Sequence, residues 1–395
     1  MSTAGEIHHF PLAEPSGFEY PPCYRRIQAQ EPMARIRMAY GMDARLITRR
    51  EDVRTVLSDP RFSRAATLGA DVPRPTPVLM EGKSIVSMDP PEHSRMRKLI
   101  AKAFTMRGIE ALRPRIEKAV AALLDAMEEQ GPPADLVTAL ARPLPLTVIG
   151  EILGVPDFQS DTFRRLAHIL FTSSEPGEVE AAFGELLALV SELVARQRQS
   201  PSDSLLGKLV SARADDRLSE EELVGFALDL IVGGFENTAH EIANFAAFVL
   251  GSPTHLAELR ADPALVPSAV EELLRVVPIS LTGGLVRIAV EDTPLSTGII
   301  RKGEAVVVDT QSANLDPATF DRPAEVDFHR SPNPHLIFGH GTHRCVGAEL
   351  ARLELQIALG SLLERFPGLA LAVPVGDIEF TTGILRGPVA LPLTW

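Results

Sequence analysis

The chain is poor in cysteine, with only Cys23 and Cys345 in 395 residues. Two thiols cannot build a disulfide framework, which excludes the small stapled secreted domains and makes a cytoplasmic location the expectation. No apolar run is long enough to span a bilayer, so no membrane segment is expected. The opening MSTAGEIHHFPLAEP has neither the basic stretch nor the apolar core of a secretory signal. Basic residues are outnumbered, 39 Lys and Arg against 52 Asp and Glu, for a formal charge of −13. That balance argues against nucleic acid as a partner. Gly/Ser linkers, low-complexity tracts and internal repeats are missing too, so nothing marks a boundary between independent domains. What is present is an ordinary globular composition, 45% hydrophobic, with room for a large core.

MARIRMAYGMDARLITR reads as two short strands around a turn at Gly41-Met42-Asp43. REDVRTVLSD follows as a short helix stopped by Pro60, and Ala66 to Ser87 as a long, proline-bearing loop of the kind that binds something. From Pro91 to about Leu259 apolar residues recur at three- and four-residue spacing, which predicts helices. One of these is bounded at both ends: Ser219 and Glu222 form a capping box, and Gly251-Ser252-Pro253 closes the run. Its middle is apolar nearly all round, so it should run through the interior. GGLVRIAVEDTPLSTGIIRKGEAVVVDT and the tail GLALAVPVGDIEFTTGILRGPVALPLTW read as strands and turns. The expected fold class is mainly α with a smaller β portion shared between the two ends of the chain. It forms one integrated domain over 1–395, β-rich near 33–50, 283–310 and 369–395 and helical near 91–278 and 347–366.

The strongest chemical signal is HLIFGHGTHRCVGAELARLE. Glycines 339, 341 and 347 bracket Cys345 just before a helix, and such a loop lets backbone approach something large and flat. A cysteine at a helix N-terminus favours thiolate, which suits axial ligation of haem iron. Taken alone, either cysteine reads as a buried structural thiol, and Cys23 has no context to say otherwise. The context of Cys345 does. Phe338, Gly339, Gly341, His343, Cys345 and Gly347 spell F-G-x-G-x-H-x-C-x-G, which resembles the haem-ligand signature of the cytochrome P-450 family.

The resemblance extends over nearly the whole chain. EELLR resembles the family's E-x-x-R element, with Glu272 and Arg275 one helical turn apart and tied to the segment carrying the ligand loop. The usual basic third partner falls on Glu325, and Arg322 or Arg330 could replace it. In MDPPEHSRMRKLI, His93 and Arg97 lie four apart on one helical face. They resemble the family's haem-propionate partners, as do Arg287 and His343. Singly, each of these reads as a solvated surface group. In IVGGFENTAHEI, Gly233, Gly234 and Glu236 resemble the family's oxygen-binding segment, which would give the glycines a groove beside the haem and Glu236 a proton-relay role. Pairing with a nearby Arg or Lys is the other reading of Glu236. The family's threonine is replaced by Asn237, an amide that donates and accepts but conducts protons poorly. Thr238 follows one residue later, rotated about 100° on a regular helix, and only a local bulge would bring it into register.

The resemblance implies a haem-thiolate monooxygenase of the bacterial type, with haem b on Cys345 and dioxygen as co-substrate. Electrons would come from NAD(P)H through a separate ferredoxin and ferredoxin reductase, with Arg344 and Arg352 as candidate docking charges. Substrate-facing candidates are Val78, Leu79, Met80, Ile85, Val86, Phe171, Phe235, Ile279, Leu281 and Ile384. They describe an apolar pocket suited to a secondary metabolite. Oxidative coupling, desaturation or peroxide-driven oxidation is the alternative within the family, and a non-catalytic haem-thiolate sensor is the alternative outside enzymology.

Overall fold

The computed structural model describes residues 6–75, 84–101, 104–154, 161–172, 175–200, 202, 204–214, 218–280, 283–382 and 384–395. Contacts divide the chain into two compact units, each assembled from separate stretches: Met1–Gly82, Val86–Ser94 and Glu271–Cys345 in one, Lys83–Ile85, Arg95–Val270 and Val346–Trp395 in the other. Neither unit is a continuous piece that a cut in the chain could release.

The first unit is built on a six-stranded sheet in the order Ile7–His9, Met33–Arg37, Ala44–Ile47, Ala305–Val308, Arg287–Ala289, Phe62–Ser63. Met33–Arg37 and Ala44–Ile47 pair antiparallel around the turn at Gly41, where φ is +85°. The central strand Ala305–Val308 is buried at every position. Its period-two alternation sends Val306 and Val308 into one cluster with Val53, Leu57 and Leu336, and Ala305 and Val307 into another with Tyr24 and Ile36. The Arg50–Ser58 helix covers the first of these faces.

The second unit is mostly helical. Ser219 and Glu222 form the capping box in both directions, at 3.1 and 2.8 Å, and start a helix running Glu220–Leu250. Residues 238–247 are buried without a break, so this helix is enclosed on all sides there. Gly251 caps its end with φ of −76°, where the backbone does not call for glycine but a side chain would meet Val375 Cγ2 at 2.7 Å. The helix stays α-helical throughout, and the π-helical turn of this unit lies elsewhere, at Val137–Ala141.

The tail departs from its strand-rich expectation. It contributes Ala370–Leu371 and Pro392–Thr394, plus one isolated bridge between Phe380 and Pro388. Prolines at 374, 388 and 392 remove the donors that a longer ladder needs. Pro392–Thr394 pairs with both Ala370–Leu371 and Ala134–Asp135 in a three-stranded sheet separate from the six-stranded one. Among the described residues no helix is long and apolar enough to cross a membrane.

Candidate functional site

Cys345 stands on a loop that the first unit holds at its root. Leu336 is buried in the sheet's core and its amide donates to Asn314 Oδ1 at 2.6 Å. The Gly339 amide donates to the Leu336 carbonyl, and the Cys345 amide to the Phe338 carbonyl, each at 2.8 Å. Gly339 and Gly341 take φ values of +72° and +69°, which disfavour any side chain, and a Cβ at Gly341 would also sit 2.7 Å from the Leu57 carbonyl oxygen. Cys345 itself is exposed, and Gly347 caps the helix Ala348–Arg365 that follows.

Two residues before the cysteine, the His343 ring lies 4.3 Å from the His93 ring. Arg287 and Arg64 are buried in the same neighbourhood. Arg64 Nε donates to the Val86 carbonyl at 2.8 Å, and another of its nitrogens donates to the Val286 carbonyl. Burial pushes Arg64 down to about 10, helped by the charge of Arg287, and burial likewise pushes Arg287 to about 10 against the pull of Asp89. His343 is pushed down to about 3 by burial and then by His93, Arg287 and Arg64. Asp89, whose charge opposes these shifts, already accepts from the Ser63 hydroxyl and from the Arg64 and Ala65 amides, at 2.9 and 3.3 Å for the amides. A buried cluster with an excess of cations, beside an exposed thiol, has the chemistry to receive a dianionic group such as the haem propionates. His93, Arg287 and His343 meet as the motifs suggest. Arg64 was not anticipated, because a lone arginine in RFSRA carries no pattern. Arg97, half-buried, follows His93 by one turn of the helix Glu92–Ala101.

The E-x-x-R pair is fully buried and bidentate, Arg275 donating to Glu272 at 2.6 and 2.8 Å. Arg330 Nε donates to both Glu272 oxygens at 3.1 Å, and Asn333 and the Asp327 amide add bonds at 3.0 Å. Arg275 also donates to the carbonyls of Asn314, Pro323 and Glu325. Of the two candidate third partners, Arg330 fills the place. Glu325 offers its carbonyl inward, and its side chain pairs outward with Arg322 at 2.7 Å.

In the second unit, Glu236 is 1% exposed, and among the described residues neither carboxyl oxygen has a hydrogen-bond partner. Burial pushes it up to about 7, opposed by Arg142. The glycines before it differ. Gly233 faces open space, whereas Gly234 packs on Ile149, where a Cβ would sit 3.3 Å from Cδ1. Gly234 therefore serves the approach of the helix Pro143–Leu153 and leaves the cofactor-binding set. Asn237 is half-buried and its amide donates back to the Gly233 carbonyl at 3.3 Å. With no bulge in the helix, Thr238 stays out of register and buried.

Among the substrate-facing candidates, Val78, Leu79, Met80 and Leu281 lie outside the described residues, as does the side chain of Phe171. Phe235 has no exposed surface and its ring lies 5.9 Å from that of Phe163, so it is packing core and not pocket wall. Being next to Glu236 on a helix turns it about 100° away. Ile279 is buried, Ile85 and Ile384 are half-buried, and Val86 is exposed. Arg344 is exposed, while Arg352 is half-buried and pairs with Glu349 at 3.0 Å.

A sequence profile described as Cytochrome P-450 matches residues 151–393. The chain is 47% identical to Nocardicin C N-oxygenase of Nocardia uniformis subsp. tsuyamanensis, and 43% identical to Mycinamicin IV hydroxylase/epoxidase of Micromonospora griseorubida. Each alignment runs over 397 residues and covers 100% of both chains. A solved cytochrome P-450 with biaryl coupling reactivity superposes with a TM-score of 0.94 at 42% identity, covering 99% of this chain and 100% of that one. The chain belongs to the cytochrome P-450 family. It has that family's fold, which implies haem, and it is a monooxygenase of the bacterial secondary-metabolite tailoring kind.

Proposed function

We propose that the chain binds haem b through the Cys345 thiolate and inserts one oxygen atom of dioxygen into an apolar secondary metabolite. Electrons come from reduced nicotinamide through a separate ferredoxin and its reductase. The observation that carries this reading is the exposed Cys345 placed two residues from His343, whose ring packs on His93 within the Arg64 and Arg287 cluster. Haem bound there supplies oxygen activation, which thiolate ligation promotes.

The chain's own residues do the rest. Glycine backbone leaves the thiol uncovered, and the 339–345 loop fixes its direction through the bonds to Leu336 and Phe338. Arg64, Arg287, His93 and His343, with Arg97, hold the propionates and relieve the repulsion among the buried cations. Glu236, kept near neutrality by burial, gives up a proton and regains it at working pH. Asn237, held by the Gly233 carbonyl, keeps one amide hydrogen and its carbonyl oxygen for water or substrate. Ile85, Val86, Ile279 and Ile384 are proposed singly as substrate contacts.

The names of two relatives, a nocardicin N-oxygenase and a mycinamicin hydroxylase/epoxidase, support a natural product as substrate. Asn237 at the threonine position also favours a second reading, oxidative coupling without oxygen insertion, which a relative with biaryl coupling reactivity supports. Turnover with isotopically labelled dioxygen separates the two. Label in the product supports insertion, and an unlabelled coupled product overturns it.

A further inference from the structure

One titratable side chain next to Glu236 has no part in the mechanism above. His240 follows Glu236 by one helical turn and is 5% exposed. Its Nδ1 lies 2.8 Å from the Glu236 carbonyl oxygen and 3.4 Å from carboxyl Oε2. A carbonyl oxygen only accepts, so Nδ1 carries the hydrogen and the ring is fixed as one tautomer. The opposite edge of the ring is fixed as well. Gly387 of the tail presses on it so closely that any Cβ there would fall 2.4 Å from His240 Cδ2. That stretch of tail is held in turn: Thr381 and Gly387 bond each other, and Asn244, one turn beyond His240, donates to the Arg386 carbonyl at 2.9 Å.

We propose that His240 is a positioning residue for Glu236, an imidazole held between the Glu236 carbonyl and the Gly387 backbone with its Nδ1–H dipole beside the carboxyl. This rests on the reading of Glu236 as the proton-handling group. Among the described residues the carboxyl has no hydrogen-bond partner, and His240 supplies the one nitrogen within ion-pair reach of it. Arg142, from the segment between Val137–Ala141 and Pro143–Leu153, is the other group whose charge reaches it, and it also favours the carboxylate. The positive end of an N–H dipole this close lowers the cost of ionisation even while its hydrogen bonds the backbone carbonyl. Burial remains the largest influence on the acid and raises it to about 7.

The test is an infrared pH titration of the haem-loaded ferric protein, following the protonated-carboxyl stretch that Glu236→Gln removes. His240→Phe keeps a ring but no nitrogen, and the band should titrate about one pH unit higher. Gly387→Ala leaves the imidazole intact but displaces it, and should shift the band in the same direction. His240→Asn puts an amide nitrogen near the Nδ1 position and should restore the original midpoint. The pH profile of product formed per reduced nicotinamide should move in parallel. A band unmoved in His240→Phe and in Gly387→Ala overturns the proposal. The proton role of Glu236 is judged separately, by Glu236→Gln: unchanged coupling there overturns that role, while a shifted band in His240→Phe still upholds the pairing.

Discussion

Glu272 and Glu236 are the same residue type, each on a helix and each shielded from water, yet their surroundings are opposite. Glu272 takes hydrogen bonds from Arg275, Arg330, Asn333 and the Asp327 amide, and both of its oxygens are satisfied. Glu236 takes none, and burial raises it to about 7. A carboxylate matched by two guanidinium groups is a fixed tie, because releasing it leaves buried charge behind. A carboxyl that accepts no hydrogen bond can change protonation state near neutral pH, which a proton donor needs and a structural tie cannot tolerate. Sequence places an acid in each helix, and packing decides which one can change charge near neutral pH.

The same substitution at the two sites should therefore act in opposite directions. Glu272→Gln leaves Arg275 and Arg330 without a counter-charge and should cost about 3–5 kcal/mol in denaturant unfolding, with weaker haem retention. Glu236→Gln should do the reverse for stability. A carboxyl whose folded pKa is raised contributes stability below its unfolded value, and that contribution is lost as pH rises through the folded value of about 7. The variant should match the parent at pH about 4 and exceed it at pH about 8 by up to roughly 3 kcal/mol. Asp229 and Glu354, raised to about 7 and about 8 by burial, titrate in both proteins and drop out of the difference. Product formation should fall in that variant by about 100-fold, the usual loss for a positioned acid. Asn237→Ala is the mildest probe. It should lower product formed per reduced nicotinamide by less than about tenfold, or about 1.4 kcal/mol, with stability nearly unchanged. A result where Glu272→Gln and Glu236→Gln shift stability alike would break the comparison.

What was legible in the sequence was local. The ligand loop is a dense run of glycines, histidine and cysteine, the capping box is four residues long, and the E-x-x-R pair spans one turn. Each needs only its own neighbours to be recognised. Arg330 could be named only as one of two candidates, since it reaches Glu272 across 58 positions and the aligned position held Glu325. Arg64 was invisible because its role comes from the company of Arg287 and His343, far along the chain. Gly234 and Phe235 were misplaced for one reason: on a helix, neighbours in sequence point to different faces, and Ile149 and Phe163 claim those two faces. The helix is unbroken at Asn237, so no bulge brings Thr238 into its register.

The central claim is that Cys345 is the thiolate ligand of haem, and it is tested most directly by the ferrous–carbon monoxide spectrum of the haem-loaded protein. The Soret band should be strongly red-shifted, as thiolate ligation requires, and Cys345→Ser should abolish the shift while Cys23→Ser leaves it intact. An unshifted band in the parent protein, or a red-shifted one that survives Cys345→Ser, would contradict the account.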